Sequence, residues 1–431
     1  MLLLKHAHIL LLTGGRWQAL ENGYLGIDGS AIRYIGRQRP AEPYDEEKDM
    51  TGHLLMPGLY NLHTHAAMVL LRGVGSGLPL DRWLHEAMFP VEAKLTEEDI
   101  SAGTRLAMME MLACGVVSFS DMYDMPHITA EAVLAAGMKA NLNRPLLVFD
   151  EAEAYADSWR AQKAADFHRD YHGAGDGRVL VDYAIHAEYT SFAEQVRRHG
   201  EACKAAGARM HLHLSETVKE HEACKARNGK TPARWFYDLG VLDSPTIAAH
   251  CVAVEPEDVD ILREKGVTCV HNPSSNMKLG SGFMPLPALR EAGINLAIGT
   301  DGAASNNNLN LFEEMHLAAV LHNGYTGDPT AVSSNELLSM ATVNGARGQG
   351  RLNCGELAVG NKADIIALNM DAPHLTPALD IPALLTYAAQ GSDVAMTMVD
   401  GKILYEKGEF LTIDYERTKH DVRRSIERLY S

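Results

Sequence analysis

The sequence predicts an α/β fold, in which a (β/α)8 barrel carries a small β-sandwich domain formed from both ends of the chain. Eight short apolar segments alternate with stretches of helical spacing, which is the order of elements that a barrel needs. Both ends of the chain instead alternate apolar and polar residues at period two, which is typical of strands with one exposed face. The length of 431 residues suits a barrel of about 250 residues with a second, smaller unit.

Turn residues bound each of the eight apolar segments, and helix start signals follow several of them. Capping-box spacing recurs at Ser191–Glu194, Thr217–Glu220 and Ser333–Glu336, so we expect helices to begin there. Glycine after an alanine-rich helical stretch, as at Gly137 and Gly207, is a usual helix stop. We therefore predict barrel strands within Leu54–His65, Val116–Met122, Lys139–Leu147, Val179–Ala187, Arg209–Leu214, Thr246–Val252, Val267–His271 and Ile294–Thr300.

The two β-patterned ends of the chain set the predicted domain boundaries. The opening apolar run is interrupted by Lys5 and His6, which favours a first strand over a secretory leader. We expect 1–56 to form the N-terminal part of the sandwich and 57–355 to form the barrel. Residues 356–431 would supply the C-terminal part of the sandwich and a terminal helix.

The net charge and the cysteine spacing indicate which binding partners and which cellular compartment to expect. The net charge is −17, from 39 basic and 56 acidic residues, which argues against nucleic acid or an anionic membrane as partner. No apolar run reaches the roughly 18 residues of a membrane span. The six cysteines show no C-x-x-C spacing, so we expect reduced thiols in a cytoplasmic protein. Cys251 is a weak candidate metal ligand, because its side chain should point away from the face that carries His250.

Histidines and acidic residues stand at the ends of the predicted strands. His63 and His65 lie at i and i+2, so their imidazoles share one face of a strand. Because the carboxyl ends of barrel strands meet at one mouth, we expect the pair to meet His213, His250 and Asp301. Three imidazoles and one carboxylate suit one Zn²⁺, with Fe²⁺ as the alternative, and leave a position for water.

A cation in such a site predicts hydrolytic chemistry. A bound divalent ion lowers the pKa of its water toward about 7, which supplies hydroxide at neutral pH. Glu216 lies three residues beyond His213, close enough to move protons without coordinating the ion. Asp301 is suited both to touch the metal and to accept the proton of the water. We therefore predict a metal-dependent hydrolase.

Several motifs resemble the amidohydrolase superfamily, and specifically its aminohydrolases that deaminate methylthioadenosine and S-adenosylhomocysteine. The resemblance runs nearly from end to end and is highly specific for the superfamily. It rests on Pro57–Ala66, Leu71–Val74, Phe119–Tyr123, His213–Thr217, Thr246–Val252, His271–Gly280 and Gly299–Asn307.

The resemblance implies a role for each residue at the mouth. His63, His65, His213 and Asp301 would be the metal ligands, and the absence of a lysine near the end of the fourth strand favours a single metal. Glu216 would protonate the ring nitrogen, His250 would orient the hydroxide, and Asp301 would pass its proton to the departing amine. General acid–base help of this kind contributes about 10²–10⁴-fold to a rate. The product would be an inosine-type nucleoside and ammonia.

The same resemblance implies how a purine nucleoside would be held. Glu92 matches an acidic residue that binds a ribose diol, and His186 matches a histidine that contacts the base or the ribose. Arg144 and Arg160 fall near arginines that bind a homocysteine carboxylate. Dimers and tetramers are common among such proteins, so assembly into a homo-oligomer is a further expectation.

Alternatives remain for several residues and for the substrate. His211 shares a face with His213 and competes with it as a ligand, and His271 shapes the site from the seventh strand. Asp121 and Asp124 are interpreted as structural. The alternative function keeps the site but acts on another amino-heteroaromatic ring, such as guanine, a pterin or a triazine. A non-catalytic scaffold is disfavoured, because each metal-ligand position of the family carries a residue that can coordinate a metal.

Overall fold

Strands and helices alternate along most of the chain in the computed structural model, which describes residues 1–431. The strands are β1 (Leu2–Thr13), β2 (Arg16–Asp28), β3 (Ala31–Gly36), β4 (Glu46–Asp49), β5 (His53–Pro57), β6 (Leu59–Thr64), β7 (Val116–Met122), β8 (Lys139–Asn143), β9 (Pro145–Leu146), β10 (Val179–Val181), β11 (Tyr183–Ile185), β12 (Met210–Leu214), β13 (Thr246–His250), β14 (Thr268–His271), β15 (Asn295–Ile298), β16 (Ile365–Asn369), β17 (Val394–Val399), β18 (Lys402–Glu406) and β19 (Glu409–Phe410). Each of the eight predicted barrel segments contains at least one of these strands.

Helices follow the barrel strands and one long helix ends the chain. They are α1 (Leu80–Arg82), α2 (Phe89–Glu92), α3 (Glu97–Ala113), α4 (Pro126–Ala136), α5 (Trp159–Tyr171), α6 (Ala174–Gly177), α7 (Ala193–Ala205), α8 (Val218–Asn228), α9 (Pro232–Asp238), α10 (Pro256–Glu264), α11 (Pro273–Lys278), α12 (Leu286–Glu291), α13 (Leu311–Thr326), α14 (Ser334–Ala341), α15 (Val343–Gly348), α16 (Ile381–Tyr387) and α17 (Tyr415–Tyr430). No helix has the length and apolar character that a membrane span requires.

The barrel strands are all parallel and run through two connected sheets. One sheet has the order β10-β8-β7-β6, and the other has the order β15-β14-β13-β12-β11-β9. The third barrel strand is divided into β8 and β9 around Arg144, and the fourth into β10 and β11 around Asp182. Because β8 pairs with β10 and β9 pairs with β11, the third and fourth strands pass from one sheet into the other. The predicted fold class is confirmed.

The first and last barrel strands, β6 and β15, lie close together but are not joined by a continuous ladder of backbone hydrogen bonds. The Asp301 N–H, just beyond β15, donates to the His63 carbonyl in β6, with an N–O distance of 2.9 Å. Gly299 lies against the same strand so closely that an added Cβ would fall 2.8 Å from His63 N. A side chain at residue 299 would therefore push the two strands apart.

Strands from both chain ends pair in one nine-stranded sheet. Its order is β19-β18-β17-β16-β5-β1-β2-β3, with β4 paired to β1. β5 joins the two ends, because it pairs with β1 on one side and with β16 on the other. The sheet buries its own apolar cluster, separate from the main core of the barrel. The opening residues thus form the predicted first strand, and the domain boundaries at 56 and 355 remain a prediction that these pairings support.

A buried charge cluster connects the barrel to this terminal sheet. Lys139 Nζ, in β8, lies 2.6 Å from Asp364 Oδ2 and 2.8 Å from Asp400 Oδ1. The Tyr60 hydroxyl also donates to Asp364, at 2.8 Å. Burial lowers the pKa of Lys139, but the two aspartates outweigh it and raise that pKa. The ammonium therefore stays charged and needs both carboxylates.

Two of the three predicted helix caps are present. Thr217 Oγ1 accepts from Glu220 N–H at the start of α8, and Ser333 caps α14 in the same way. The cap at Ser191 was wrong, because α7 begins two residues later and Ser191 Oγ donates instead to the Thr190 carbonyl. A hydroxyl residue at capping spacing has more than one backbone partner within reach.

Candidate active site

The residues predicted at the barrel mouth surround one cavity of about 490 Å³. His65, His213, His250, Glu216 and Asp301 all line it. Each stands at or just beyond the carboxyl end of a barrel strand, where parallel strands deliver their side chains to a common face. The structure therefore brings these five sequence-predicted residues together at one end of the barrel.

His63 stands at the centre of these polar groups. Its Nε2 lies 3.2 Å from Asp301 Oδ1, and His65 Nε2 lies 3.1 Å from the same oxygen. His63, His213 and His250 form a second group, whose ring nitrogens lie within 4.8 Å of one another. The short approach of His63 Nε2 to Asp301 is not a hydrogen bond, so this buried nitrogen has no hydrogen-bond partner, which is unfavourable unless a ligand occupies the space. Imidazoles and a carboxylate that converge in this way form the donor set of a divalent cation such as Zn²⁺.

Hydrogen bonds on the far side of three imidazoles point their Nε2 atoms toward the centre. His65 Nδ1 donates to the Met122 carbonyl at 2.6 Å, and His213 Nδ1 donates to the His186 carbonyl at 2.7 Å. His250 Nδ1 lies 2.8 Å from Asn276 Oδ1 and donates to it. A donating Nδ1 leaves a lone pair on Nε2, the atom that would face a metal or a substrate.

His63 is held by a longer chain of hydrogen bonds. Its Nδ1 lies 3.0 Å from His211 Nε2, and His211 Nδ1 lies 3.1 Å from the Asn143 side-chain nitrogen. In this orientation the Asn143 amide donates toward His63, which places the proton on His63 Nε2. A cation on Nε2 requires the opposite direction, with the amide turned so that its oxygen accepts from His211. His211 thus lies behind His63 and does not line the cavity.

The surroundings shift the pKa values of His213 and His65 in opposite directions. Burial lowers the pKa of His213 well below its ordinary range, and the neighbouring His63 adds to that effect. Burial also lowers the pKa of His65, but contact with Asp301 outweighs it and raises that pKa to about 9. Without a cation a proton therefore lies between His65 and Asp301, and metal binding would release it.

Asp301 and His250 adopt backbone conformations that are uncommon outside glycine. Their φ angles are 59° and 74°, in the left-handed region that L side chains rarely adopt. Asp301 Oδ2 accepts from the hydroxyls of Ser275 and Ser305, at 2.7 and 2.8 Å, which leaves Oδ1 facing the imidazoles. Strain of this kind persists where the surroundings fix the side chain in a required direction.

Glu216 lies beside His250 at the base of the cavity. Its Oε2 is 3.8 Å from His250 Nε2, and its backbone N–H donates to Glu220 at 2.7 Å. Burial raises the pKa of Glu216 above its ordinary value. A carboxyl group with a raised pKa carries a proton at higher pH and can donate it to a nitrogen base.

Only some of the residues predicted to bind the nucleoside line the cavity. Glu92, His186 and Arg160 line the cavity, whereas Arg144 does not. The Tyr123 hydroxyl donates to Glu92 at 2.7 Å, and burial raises the pKa of that carboxyl. Burial lowers the pKa of His186 to about 3, so its imidazole is neutral.

Asp121, His271 and Cys251 lie outside the donor set. Asp121 accepts from the Ala66 N–H at 2.7 Å and fixes the backbone after His65, which is a structural contact. His271 Nε2 lies 3.1 Å from His322 Nε2, and Cys251 Sγ donates to the Ala248 carbonyl.

The sequence pattern did not predict several residues that position the site. Asn276, Ser275 and Ser305 lie inside the family motifs that contain His271 and Asp301, and this position was the available signal. Asn143 lacks such a signal, because its strand reads only as a buried apolar segment.

Comparison with known proteins identifies the family to which the chain belongs. The model of the amidohydrolase family matches residues 54–404. The chain belongs to the amidohydrolase family. The resemblance seen in the motifs is thereby confirmed, and the four predicted metal ligands lie inside the matched region.

Relatives match the chain over nearly its full length. It is 42% identical to a 5'-deoxyadenosine deaminase of Methanosarcina acetivorans, over 99% of this chain and 98% of the relative. It is 39% identical to a 5-methylthioadenosine/S-adenosylhomocysteine deaminase of Thermoanaerobacter pseudethanolicus, over 99% of both chains.

Solved structures show the same fold. An adenosine deaminase from Xanthomonas campestris with bound zinc superposes with a TM-score of 0.93 at 30% identity, covering 99% of this chain and 98% of that one. A triazine hydrolase from Arthrobacter aurescens superposes with a TM-score of 0.92 at 22% identity, over 99% of both chains, and shows the fold alone. Bound zinc in the Xanthomonas protein agrees with the His and Asp donor set described above.

Proposed function

We propose that the protein is a metal-dependent hydrolytic deaminase of adenosine-type nucleosides. Its substrate would be 5'-methylthioadenosine, S-adenosylhomocysteine or adenosine, and its products an inosine-type nucleoside and ammonia. The observation that carries the proposal is the cavity at which His65, His213 and His250 meet Asp301 and a buried Glu216. Relatives named as adenosine-type deaminases over the full length support the choice of substrate.

One divalent cation, most simply Zn²⁺ and alternatively Fe²⁺, would be held by His63, His65, His213 and Asp301. When bound it supplies a water acidic enough to act as a nucleophile at neutral pH. The fourth barrel strand, β10 and β11, contains no lysine, so a bridging carboxylated lysine cannot hold a second ion. A single cation therefore fits these residues.

Glu216 would act as the general acid. Burial raises its pKa, so the carboxyl can hold a proton and donate it to N1 of the purine. Protonation draws electron density toward the ring nitrogen and makes C6 more electrophilic. The same group would then regain a proton as the product forms.

Asp301 and His250 would handle the attacking water. His250 Nε2 faces the cavity because Nδ1 is held by Asn276, so it can orient the water toward C6. Asp301 would accept the proton that the water loses and pass it to the departing amino nitrogen. The C6–O bond forms, the C6–N bond breaks, and ammonia leaves with the transferred proton.

The remaining lining residues would bind the nucleoside. Glu92 would accept from the ribose hydroxyls, since Tyr123 already holds the carboxyl in place. His186, neutral and beside His213, would contact the base or the ribose. Arg160, and Arg144 behind it, lie where they could meet a substituent on the 5′ carbon.

A substrate panel on protein of measured metal content tests the proposal. Ammonia release and the change in purine absorbance should appear with adenosine, 5'-methylthioadenosine or S-adenosylhomocysteine. Guanine, a pterin and an amino-triazine complete the panel, because similar sites act on such rings. Turnover of one of those rings with inert adenosine nucleosides would contradict the substrate while preserving the class.

The cellular setting is also part of the proposal. We place the enzyme in the cytoplasm, because its six cysteines are all free thiols and its substrates would be small metabolites. The partner would be the nucleoside rather than a nucleic acid or a membrane, and assembly into a homo-oligomer remains a prediction.

A further inference from the structure

The far end of the cavity contains an ion pair that the catalytic chemistry does not use. Arg160 Nη1 and Nη2 donate to the two carboxylate oxygens of Asp124, at 2.8 and 3.2 Å. Arg144 Nη1 lies 3.4 Å from the same carboxylate. Both guanidinium groups face the ring of Trp159, at 5.2 Å for Arg144 and 4.6 Å for Arg160.

Asp124 neutralises the guanidinium of Arg160, the one permanently charged cationic side chain in the cavity lining. Arg160 is the only arginine that lines the cavity, and no lysine lines it, whereas four acidic residues do. Asp124 occupies the bidentate edge of that guanidinium, which is the geometry a substrate carboxylate would need. The Arg144 side chain is only 10% exposed and lies behind the pair.

The pair lies next to the position proposed for the ribose. Tyr123, the residue before Asp124, donates its hydroxyl to Glu92. Asp124 and Arg160 are both close enough to Glu92 to affect the pKa of its carboxyl. A nucleoside whose ribose reaches Glu92 would therefore place its 5′ substituent near Asp124. The neighbouring lining is apolar and includes Leu147 and Phe149.

We propose that Asp124 is a specificity-determining residue that selects adenosines with an uncharged 5′ substituent over those with a 5′ carboxylate. This inference rests on the proposed function. An incoming carboxylate would have to displace Asp124 from Arg160 and then lie beside its negative charge. An alkyl or methylthio group meets only the apolar lining and leaves the ion pair intact. Asp124, interpreted from the sequence as structural, thus acquires a role in substrate choice.

The test compares three 5′-thioether adenosines that differ only in the tail: a methyl group, a carboxyalkyl group and a homocysteine group. In the unchanged protein, kcat/KM should be lower for the carboxyalkyl compound than for the methyl compound. Asp124→Asn should raise the ratio of carboxyalkyl to methyl kcat/KM by about tenfold, the equivalent of about 1.4 kcal/mol. The gain should appear mainly as a lower KM for the carboxyalkyl compound, because the interaction concerns binding.

Three further variants establish the mechanism of the change. Asp124→Asn combined with Arg160→Gln should lose the gain, since the freed guanidinium would be absent. Asp157→Asn removes the same charge from an exposed residue that does not line the cavity, and should leave the ratio as in the unchanged protein. Asp124→Ser removes the carboxylate by a second route and should change the ratio in the same direction, which keeps the test valid if Asp124→Asn does not fold.

Several results would overturn the inference. An unchanged or lower ratio in Asp124→Asn would do so, as would an equal shift in Asp157→Asn. A loss confined to the homocysteine compound would show that Asp124 binds the substrate ammonium instead. If the unchanged protein deaminates none of the three compounds, the proposed function fails; if it deaminates the methyl compound and the ratio does not rise, only this inference fails.

Discussion

The direction of each imidazole at the barrel mouth is set by the partner of its far nitrogen. Backbone carbonyls hold His65 and His213, whereas His63 relies on a second imidazole and an amide. A backbone carbonyl can only accept a hydrogen bond, so the histidine nitrogen that faces it must carry the proton, and the tautomer is fixed. The chain from Asn143 through His211 to His63 can run in either direction, and its direction is therefore coupled to whether a cation is present.

Replacing His211 should weaken metal binding without removing a ligand. His211→Phe leaves His63 Nδ1 without an acceptor, and loss of such an outer partner lowers metal affinity by about 10–100-fold. Zinc affinity measured by chelator competition tests this expectation. His199→Gln is the control, since it alters a buried histidine that pairs with Tyr155 and is not among the proposed metal ligands. Equal affinities for His211→Phe and the unchanged protein would contradict the positioning role.

Glu216→Gln should separate metal binding from proton transfer. The amide keeps the shape of the side chain but cannot donate an acidic proton, so kcat should fall by about 10²–10⁴-fold. Metal content should stay at one ion per chain, because Glu216 is not among the proposed ligands. Unimpaired turnover with full metal content would contradict the role of Glu216 as general acid.

At the scale of elements, α8 links helix stability to the site. Its N-cap Thr217 follows Glu216 directly, and its Glu220 side chain accepts the Glu216 backbone N–H at 2.7 Å. Burial and the neighbouring Glu216 raise the pKa of Glu220 to about 8. The first turn of α8 therefore holds Glu216 from both sides, through the chain and through a side chain.

Removing the cap of α8 should loosen this turn. Thr217→Ala leaves the Glu220 N–H without its acceptor and should cost about 1 kcal/mol of unfolding free energy. Thr217→Ser, which keeps a hydroxyl, is the matched control and should cost less. Amide hydrogen exchange in α8 should rise in the alanine variant and stay nearly unchanged in the serine variant. Equal exchange in both variants would show that the cap does not stabilise the helix.

The sequence predicted elements whose residues carry a periodic or positional signal. Two signals predicted that the polar residues meet at the barrel mouth. His63 and His65 lie two residues apart on one strand, and His213, His250 and Asp301 lie at the ends of other strands. The pairing of Asp124 with Arg160 had no such signal, because the two residues lie in loops or at a helix start after different strands. Contacts between loops depend on three-dimensional placement, which spacing in one sequence does not encode.

At the scale of the whole molecule, the barrel and the terminal sheet depend on each other through buried charges. Lys139 belongs to a barrel strand, while Asp364 and Asp400 come from the C-terminal part of the chain. Both aspartate side chains are nearly inaccessible to solvent, so neither can exchange its partner for water. The terminal sheet therefore supplies counter-charges as well as strands.

Lys139→Met should destabilise the whole protein. Removing one partner of a buried ion pair leaves uncompensated charge and costs about 3–5 kcal/mol of unfolding free energy. Denaturant unfolding, followed by a global signal, measures the loss. Lys204→Met is the control, since Lys204 pairs with Asp243 at the surface and such pairs are worth about 0–1 kcal/mol. Equal stability of the two variants would contradict the importance of the buried cluster.

The long sequence separation within that cluster bears on how the protein is made. Lys139 and Asp364 are 225 residues apart, so during translation the lysine leaves the ribosome long before its carboxylate partners do. Until then the Lys139 ammonium has no counter-charge, so burying it in the barrel is unfavourable. Translation must therefore pass Asp400 before Lys139 has both counter-charges, and polypeptides released before that point would remain targets for quality control.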